Sequence, residues 1–322
     1  QYQRRIDYLR ISVTDRCNLK CVYCMPASGV PCMPAEDTLT TAEIIRVARI
    51  ARRSGLRKVR ITGGEPLVRK DIIPLIRALK QDIGIHDLSL TTNGLLLAEM
   101  AERLKAAGLD RVNVSLDTMD PLRYEKITRG GDILKVWDGI DAAEEAGLTP
   151  LKINMVPLRG VNEDEIRNFA LLTLDRDYHI RFIEFMPTKG NRWSDGSCVR
   201  TQEVMDRVAA LGRLNAIPFR GNGPSRNYRL SGARGVIGFI SAVSDHFCGS
   251  CNRLRLSADG KIRPCLYSNK VVDMRTALRN GSSDEELGEL FAQAAQSKPS
   301  GHLMHQLGPE ASSFASLSQI GG

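Results

Sequence analysis

The sequence has 322 residues, a formal net charge of +8 and 42% hydrophobic residues. This length and apolar content suit one large domain or a large domain and a small one. No apolar stretch reaches the roughly eighteen residues of a membrane-spanning helix, and the polar, basic N-terminus is unlike a secretory signal, so we expect a cytoplasmic protein. The charge alone fits a nucleic acid, an acidic small molecule or solvated arginines, and it selects none of them.

Strand-like and helical segments alternate through residues 1–190. The helical stretches "TAEIIRVARIARRSG" and "GIDAAEEAG" each end on a glycine that suits a helix C-cap. The predicted strands are Tyr8–Thr14, Lys58–Thr62, Leu88–Thr92, Arg111–Leu116, Leu151–Val156 and Arg181–Phe185. Repeated strand–helix units predict an α/β fold with a parallel sheet covered by helices, in the form of an open or partial barrel.

Several of these strands alternate apolar and polar residues. Leu9 and Ile11 alternate with Arg10 and Ser12, and the strands around Arg60, Asn113 and Lys152 repeat the pattern. Because crossover helices cover the apolar face, the polar set is expected to line the lumen. Unpaired buried cations cost roughly several kcal/mol each, so this lumen predicts an anionic ligand.

The pattern loosens from about residue 190. "KGNRWSDGSC" and "RGNGPSRNY" indicate loops, and short strands are predicted at Val236–Ser241 and Arg253–Ser257 before a helical "SSDEELGELFAQAAQ". We therefore expect two domains, residues 1–190 and a smaller C-terminal domain of residues 191–322.

Six of the eight cysteines form two triplets, which are more typical of metal ligands than of disulfides in a reducing compartment. A structural zinc site has four ligands, and only His246 lies near enough to complete either set. Three thiolates suit a [4Fe-4S] cluster with one open iron, although spacing alone leaves zinc open for the second triplet. Cys32 and Cys198 are interpreted as free thiols. The triplets are Cys17, Cys21 and Cys24 (C-x3-C-x2-C), and Cys248, Cys251 and Cys265 (C-x2-C-x13-C).

The first triplet and "TGGEP", residues 62–66, resemble the radical S-adenosylmethionine superfamily. "CGSCNRLRLSADGKIRPCL", residues 248–266, and the terminal "QIGG" resemble the GTP 3',8-cyclase (MoaA) family of molybdenum cofactor biosynthesis. Further similar stretches are "YLRISVTDRCNLKCVYCMP", "VRITGGEPLVRKD", "TTNG", "NVSLD", "KINMV" and "RFIEFMP". The resemblance runs from Tyr8 to Gly322.

The resemblance implies a partial (βα)6 TIM-like barrel of the radical S-adenosylmethionine type with a smaller C-terminal cluster-binding domain. It implies two [4Fe-4S] clusters, S-adenosylmethionine, and a 5'-deoxyadenosyl radical that abstracts the C3' hydrogen of GTP to yield 3',8-cyclo-7,8-dihydro-GTP. It also implies that MoaC receives the product and that flavodoxin or ferredoxin donates electrons. A homodimer is left open, and neither nucleic acid nor membrane is expected as a partner.

Site residues follow from the same resemblance. Each cysteine triplet is expected to ligate one cluster. The residues expected at S-adenosylmethionine are Tyr23, Gly64, Glu65, Ser115 and Met186. The residues expected at GTP are Arg10, Arg60, Thr91, Lys152, Arg253 and Arg255. Catalytic assistance is expected from Arg253, Arg255, Gly321 and Gly322.

Each of these assignments has a simpler alternative. Met186 is also explained as a core methionine, acting if at all through its backbone, and Ser115 as a satisfied hydroxyl. Glu65 contacts the methionyl ammonium or only closes a turn. A single arginine is often a solvated surface charge, and terminal glycines are often frayed.

Two other functions are alternatives to the cyclase interpretation. One is a radical S-adenosylmethionine enzyme that modifies a peptide or another small substrate and uses the second cluster for electron transfer; such relatives usually have a longer, cysteine-richer C-terminal region. The other is a zinc-stabilised RNA-binding protein, which is expected to interleave exposed aromatic and basic residues. Aromatic residues make up only 5% of the chain, and the basic residues of interest lie on strand faces.

Overall fold

The computed structural model describes residues 4–186, 191, 195–218, 223–245, 247–268 and 270–301. The strands are β1 (Tyr8–Ser12), β2 (Lys58–Thr62), β3 (Asp87–Thr92), β4 (Arg111–Ser115), β5 (Lys152–Met155), β6 (His179–Ile183), β7 (Leu214–Ala216), β8 (Arg226–Leu230), β9 (Val236–Ile240), β10 (Arg253–Leu256), β11 (Lys261–Arg263) and β12 (Val272–Asp273). The α-helices are α1 (Thr41–Arg53), α2 (Ile72–Arg77), α3 (Ala101–Ala106), α4 (Pro121–Thr128), α5 (Ile133–Glu145), α6 (Ile166–Asp175), α7 (Thr201–Ala209), α8 (Met274–Arg279) and α9 (Asp284–Gln296). Within these ranges no helix combines the length and apolarity that crossing a membrane requires.

The described strands form one mixed sheet in the order β12-β11-β10-β1-β2-β3-β4-β5-β6-β9-β8-β7. Strands β1 to β6 pair in parallel and in chain order, and helices connect them. β10 adds in parallel beside β1, and β9 adds in parallel beside β6. The outer strands β11, β12, β8 and β7 pair antiparallel. Among the described residues the sheet stays open, which confirms the predicted partial barrel of β–α units.

Burial explains the orientation of the parallel strands. Leu9, Ile11, Val59 and Ile61 are fully buried and belong to one continuous core under the helices. The polar residues between them point to the opposite face, where Arg10 lies beside Arg60 in the register of β1 and β2. The alternation in the sequence thus predicted correctly which face packs against helices.

Local sequence signals define the ends of α1 and α9. Thr40 and Glu43 form a capping box at the start of α1, and Ser283 and Glu286 form another at the start of α9. Gly55, just beyond the α1 C-cap, adopts φ +96°, a left-handed conformation that favours glycine.

The chain after residue 190 extends both edges of the sheet begun by the first 190 residues. β8 and β9 extend the β6 edge, and β10 to β12 extend the β1 edge. α9 packs against α1, where Asp284 Oδ1 accepts from Arg46 Nε at 2.9 Å and Asp284 Oδ2 accepts from Arg53 Nη1 at 3.0 Å. The predicted division at residue 190 therefore falls within a sheet to which both parts contribute strands.

Three strand predictions need correction. β6 spans His179–Ile183 instead of Arg181–Phe185, so it begins and ends two residues earlier than expected. Glu184 directly follows it, and its carboxylate accepts from the backbone N–H groups of Thr201, Val243 and Ser244. The stretch "RGNGPSRNY" was expected to be a loop, but from Arg226 it forms β8, which pairs with β9 and β7. The polar residues Arg226 and Asn227 at its start give no apolar signal. The very short β7, β11 and β12 were not predicted.

Candidate active site

The polar face of the parallel strands encloses a cavity of about 590 Å³. Its wall combines side chains from β1 to β6, the segment carrying the second cysteine triplet, and Tyr23 from the first cysteine segment. The predicted site residues that line it are Arg10, Tyr23, Arg60, Thr91, Ser115, Lys152, Met186, Cys248, Cys251, Arg253, Arg255 and Cys265. The fold therefore gathers residues from both ends of the sequence around one space.

The two triplets lie toward opposite ends of neighbouring parallel strands. Cys17 follows the carboxyl end of β1, whereas Cys251 precedes the amino end of β10, where Arg253 pairs with Tyr8. Cys265 follows β11, which is antiparallel to β10, so Cys265 lies at the same end as Cys251. The five-residue β1 spans about 17 Å at roughly 3.3 Å per residue. The two thiol sets thus lie at opposite ends of this strand pair: the second lines the cavity, and Tyr23 of the first cysteine segment lines it as well.

The first cysteine segment is compact. The backbone N–H groups of Cys24 and Met25 donate to the Cys21 carbonyl at 3.0 and 3.2 Å, and the Leu19 N–H donates to Cys17 Sγ at 3.4 Å. Burial raises the pKa of Cys17 to about 12, and burial followed by neighbouring negative groups raises that of Cys21. Such thiols lose their protons when a metal binds them.

The glycines of "TGGEP" allow the loop after β2 to lie directly against the first cysteine segment. Gly64 N–H donates to the Thr14 carbonyl at 2.7 Å, and Glu65 N–H donates to the Arg16 carbonyl at 2.8 Å. A Cβ at Gly64 would lie 2.6 Å from the Arg16 carbonyl carbon, and one at Gly63 would lie 2.5 Å from the Thr14 carbonyl oxygen. Neither position accommodates a side chain without displacing the backbone that leads to Cys17.

Glu65 is buried and joins two loops. Its carboxylate accepts from Leu67 N–H at 3.0 Å, from Thr92 Oγ1 at 2.8 Å and from Asn93 N–H at 2.7 Å. Burial raises its pKa to about 7, although these three donors act in the opposite direction. Both oxygens are thus engaged within the protein, which favours the turn-closing interpretation of Glu65 over direct contact with a cofactor.

Tyr23 is held in the cavity wall by a buried aspartate that the sequence did not single out. Its hydroxyl donates to Asp117 Oδ2 at 2.6 Å, while Asp117 Oδ1 accepts from Val156 N–H at 2.8 Å. Burial raises the pKa of Asp117 to about 6. Asn191 Nδ2 donates to the carbonyls of Tyr23 and Met186 at 3.1 and 2.9 Å. The carbonyl of Met186 is therefore tied to the first cysteine segment.

Positive charge is concentrated on the middle of the wall. Arg10 pairs in register with Arg60 on one side and Arg255 on the other. Burial, then the neighbouring guanidinium groups, lower the pKa of Lys152 to about 6 and that of Arg181 to about 9. The buried Tyr8 Oη, Thr91 Oγ1, Asn154 Oδ1 and Arg181 Nε have no hydrogen-bond partner among the described residues. A polar, anionic ligand would satisfy both the charge and the unpaired groups.

The second triplet lies in a cationic environment. Burial raises the pKa of Cys251, but the charges of Arg253 and Lys298 outweigh it and lower the value to about 7. The Arg253 guanidinium also stacks over the Phe247 ring, 4.9 Å from its centroid. These surroundings favour thiolates and an anionic group bound to them.

The model of the Radical SAM superfamily matches residues 11–173, and that of Molybdenum Cofactor Synthesis C matches residues 178–304. A GTP 3',8-cyclase of Heliobacterium modesticaldum is 52% identical over 306 residues, covering 94% of each chain. That of Moorella thermoacetica is 49% identical over 324 residues, covering 100% of this chain and 99% of the relative. The chain belongs to the GTP 3',8-cyclase family.

A solved structure supports the fold of this GTP 3',8-cyclase family member. The crystal structure of Streptococcus suis SuiB bound to S-adenosylmethionine matches with a TM-score of 0.59 at 17% identity, over 83% of this chain and 62% of that chain. At this identity the likeness concerns the fold alone, and together with the match to the Radical SAM superfamily model it confirms the predicted architecture.

Radical SAM membership implies a [4Fe-4S] cluster and S-adenosylmethionine, and the residues of this GTP 3',8-cyclase family member fit both groups. All eight cysteines are free thiols. In the described parts of the chain, no three His, Cys, Asp or Glu side chains converge on a single metal ion. Thiolates that bind separate irons of one cluster need no such convergence. The unpaired polar atoms of the wall provide donors and acceptors for a nucleoside-containing cofactor or substrate.

Some of the residues predicted to form the site lie outside the cavity wall. Gly64 and Glu65 contact the backbone behind the first cysteine segment, as described above. Cys17, Cys21 and Cys24 are half-buried, and of that segment Tyr23 lines the cavity. Gly321 and Gly322 lie outside the described residues, as does His246.

Sequence reasoning missed several wall residues. Arg181 lies on β6 between the buried Ile180 and Phe182, so the alternation noted on other strands could have identified it. Tyr8 precedes Leu9 in the same pattern on β1. Further lining residues that were missed are Lys58, Arg111, His179 and Lys298, whereas the alternation on β5 predicts that Asn154 lies in the lumen. Lys298 follows α9 and had no motif to identify it.

Proposed function

We propose that this chain converts GTP to 3',8-cyclo-7,8-dihydro-GTP, the first step of molybdenum cofactor biosynthesis. The observation that carries the proposal is the placement of two cysteine triplets toward opposite ends of the β1–β10 pair, beside a cavity with a cationic wall. A peptide substrate has no need of this many arginine and lysine side chains, whereas a triphosphate matches them.

The first triplet and Tyr23 are proposed to hold a [4Fe-4S] cluster and S-adenosylmethionine, with Gly64, Ser115 and Met186 beside the cofactor. When bound, these groups supply a 5'-deoxyadenosyl radical that takes the C3' hydrogen of GTP. Asp117 keeps the Tyr23 hydroxyl oriented through a 2.6 Å hydrogen bond. Enclosure of the cavity by the strands limits access of water to the reacting atoms.

The second triplet is proposed to hold a second [4Fe-4S] cluster with an open iron toward the guanine. Arg10, Arg60 and Lys152 bind the phosphates together with Thr91, since guanidinium groups form paired hydrogen bonds to phosphate oxygens. Arg253 and Arg255 project from one face of β10 into the same cavity and contact the substrate near the second cluster.

The proposal also includes partner proteins and a cellular location. A second enzyme, MoaC, receives the cyclised nucleotide, and a flavodoxin or ferredoxin supplies electrons. The terminal Gly321 and Gly322 are proposed to assist catalysis, and a homodimer is proposed as the assembly. Cysteines that bind clusters must stay reduced, and this supports a cytoplasmic location.

The test is anaerobic reconstitution followed by incubation with GTP, S-adenosylmethionine and dithionite, with mass analysis of the nucleotide. The wild-type chain should bind about eight irons and form the cyclised nucleotide. Cys24→Ser should abolish product, whereas Cys32→Ser, a change at an exposed cysteine outside both triplets, should leave it unchanged. Binding of zinc without iron, or absence of the cyclised nucleotide with both clusters present, would reject the proposal.

A further inference from the structure

Lys298 contacts two chain segments of the second cysteine triplet, the one that follows Cys251 and the one that precedes Cys265. Its ammonium group donates to the Arg253 carbonyl and to the Pro264 carbonyl, each at 2.7 Å. Arg253 lies two residues after Cys251, and Pro264 directly precedes Cys265. One half-buried side chain thus holds both segments, which β10 and β11 separate in sequence.

Arg4 makes a complementary connection from the other end of the described chain. Its Nη1 donates to the Cys248 carbonyl at 2.6 Å, and its Nη2 donates to the carbonyls of Lys298 and Pro299 at 3.2 and 2.9 Å. Arg4 therefore ties the first cysteine of the triplet to the segment that carries Lys298.

These contacts matter because the backbone hydrogen bonds observed for the cysteine loops, among the described residues, are local. Cys251 N–H donates to the Cys248 carbonyl at 3.2 Å, and Ser268 N–H donates to the Cys265 carbonyl at 3.4 Å. Neither bond links the Cys248–Cys251 turn to the Cys265 segment. The antiparallel pairing of β10 with β11 joins the strands next to the two loops, and the Arg4 and Lys298 side chains add contacts within the loops themselves. Lys298 also places positive charge beside the Cys251 thiol.

We propose that Arg4 and Lys298 are positioning residues that assemble the second cysteine triplet from three chain segments, and that Lys298 stabilises the reduced state of the group bound there. The inference rests on the proposed second [4Fe-4S] cluster for its redox part only. A positive charge near a cluster favours the added electron, so loss of Lys298 should make reduction harder.

The test compares Lys298→Gln, Lys298→Arg and Arg4→Gln with two control variants at exposed positions, Lys270→Gln and Arg5→Gln. In the apo chain, hydrogen–deuterium exchange of the peptides around Cys248 and Cys265 should be at least threefold faster in Lys298→Gln and Arg4→Gln than in wild type. After anaerobic reconstitution, a redox titration followed by electron paramagnetic resonance should show a more negative midpoint potential of the second cluster in Lys298→Gln. Lys298→Arg should restore the wild-type potential because it retains the charge.

The possible results test the positioning role of Arg4 and Lys298 separately from the proposed second cluster. Wild-type exchange rates and an unchanged potential in Lys298→Gln would overturn the positioning role. A wild-type chain that binds only about four irons would overturn the second cluster, while the exchange data on the apo chain would still decide whether Arg4 and Lys298 assemble the triplet. Unchanged signals of the first cluster show that each variant has folded.

Discussion

Individual buried side chains show most directly what the cavity is built to bind. Lys152, Arg181 and Arg60 share a wall with the hydroxyl of Tyr8, which has no hydrogen-bond partner in the described part of the chain. Asp87, on the same wall, forms its ion pair with Arg111. Burial and mutual repulsion lower the pKa of Lys152 to about 6, so near pH 7.5 its amine is largely neutral without a ligand. A polyphosphate beside it favours the ammonium form and raises that pKa.

We therefore predict that binding of GTP is coupled to proton uptake by Lys152. Isothermal titration calorimetry at pH 7.5 in buffers of different ionisation enthalpy should detect this uptake, and affinity should weaken as pH rises above about 6. Lys152→Met should remove this part of the uptake and weaken binding at least tenfold, or about 1.4 kcal/mol. Lys70→Met, at an exposed lysine, should behave as wild type. Equal proton uptake in wild type and Lys152→Met would contradict the prediction.

Glu65 gives a second prediction at the residue scale, on stability. Glu65→Gln should lower the free energy of unfolding by about 1–3 kcal/mol, because an amide cannot accept from all three donors. The raised pKa of about 7 means that the folded state holds an extra proton between pH 4.5 and 7, so the contribution of Glu65 falls as pH rises through that range. Urea unfolding of the apo chain at pH 5 and pH 8 should show a larger wild-type advantage at pH 5. An advantage that does not change between pH 5 and pH 8 would show that the carboxylate stays charged throughout, and would contradict the prediction.

At the scale of elements, the sequence pattern predicted which residues form strands better than it predicted which distant residues contact each other. Alternation on β1, β2, β4 and β5 identified the lumen face, because one face of each strand must pack under helices. The same rule applied to β6 would have added Arg181. Asp117 was not predicted as a site residue, because it follows β4 rather than lying on it. Its contact with Tyr23 also joins residues that are 94 positions apart. Local patterns carry no information on such contacts.

The loop after β2 provides a prediction at this scale. Gly64→Ala should prevent the loop from lying against Arg16, because a Cβ would fall 2.6 Å from a backbone carbon. The first cysteine segment should shift, and the chain should bind about four irons fewer after reconstitution. Gly249→Ala is the matched control, since a Cβ there meets nothing within 4 Å and the residue lies between two cysteines of the second triplet. Iron and sulfide analysis with electron paramagnetic resonance distinguishes the two sites. Full loading of the first site in Gly64→Ala would refute the close-approach argument.

At the scale of the whole molecule, the sheet brings together the two ends of the chain. β10 pairs in parallel with β1 although Arg253 and Tyr8 are 245 positions apart in sequence. The cysteine spacing predicted two sites, but nothing in the local sequence specifies this pairing, which decides that both sites border one cavity. Arg4 and Lys298 were missed for the same reason, because their roles depend on contacts between distant segments.

This arrangement predicts that the two sites can be separated functionally. Cys265→Ser should leave cleavage of S-adenosylmethionine largely intact, because Cys17, Cys21 and Cys24 lie at the other end of the β1–β10 pair. It should abolish formation of the cyclised nucleotide, because the second site is the proposed anchor of the guanine. The measurements are 5'-deoxyadenosine and cyclised nucleotide from the same anaerobic reaction, with Cys198→Ser, at a buried cysteine outside both triplets, as the control. If Cys265→Ser still forms the cyclised nucleotide, GTP does not depend on the second site for its orientation, and the cationic wall alone must position it.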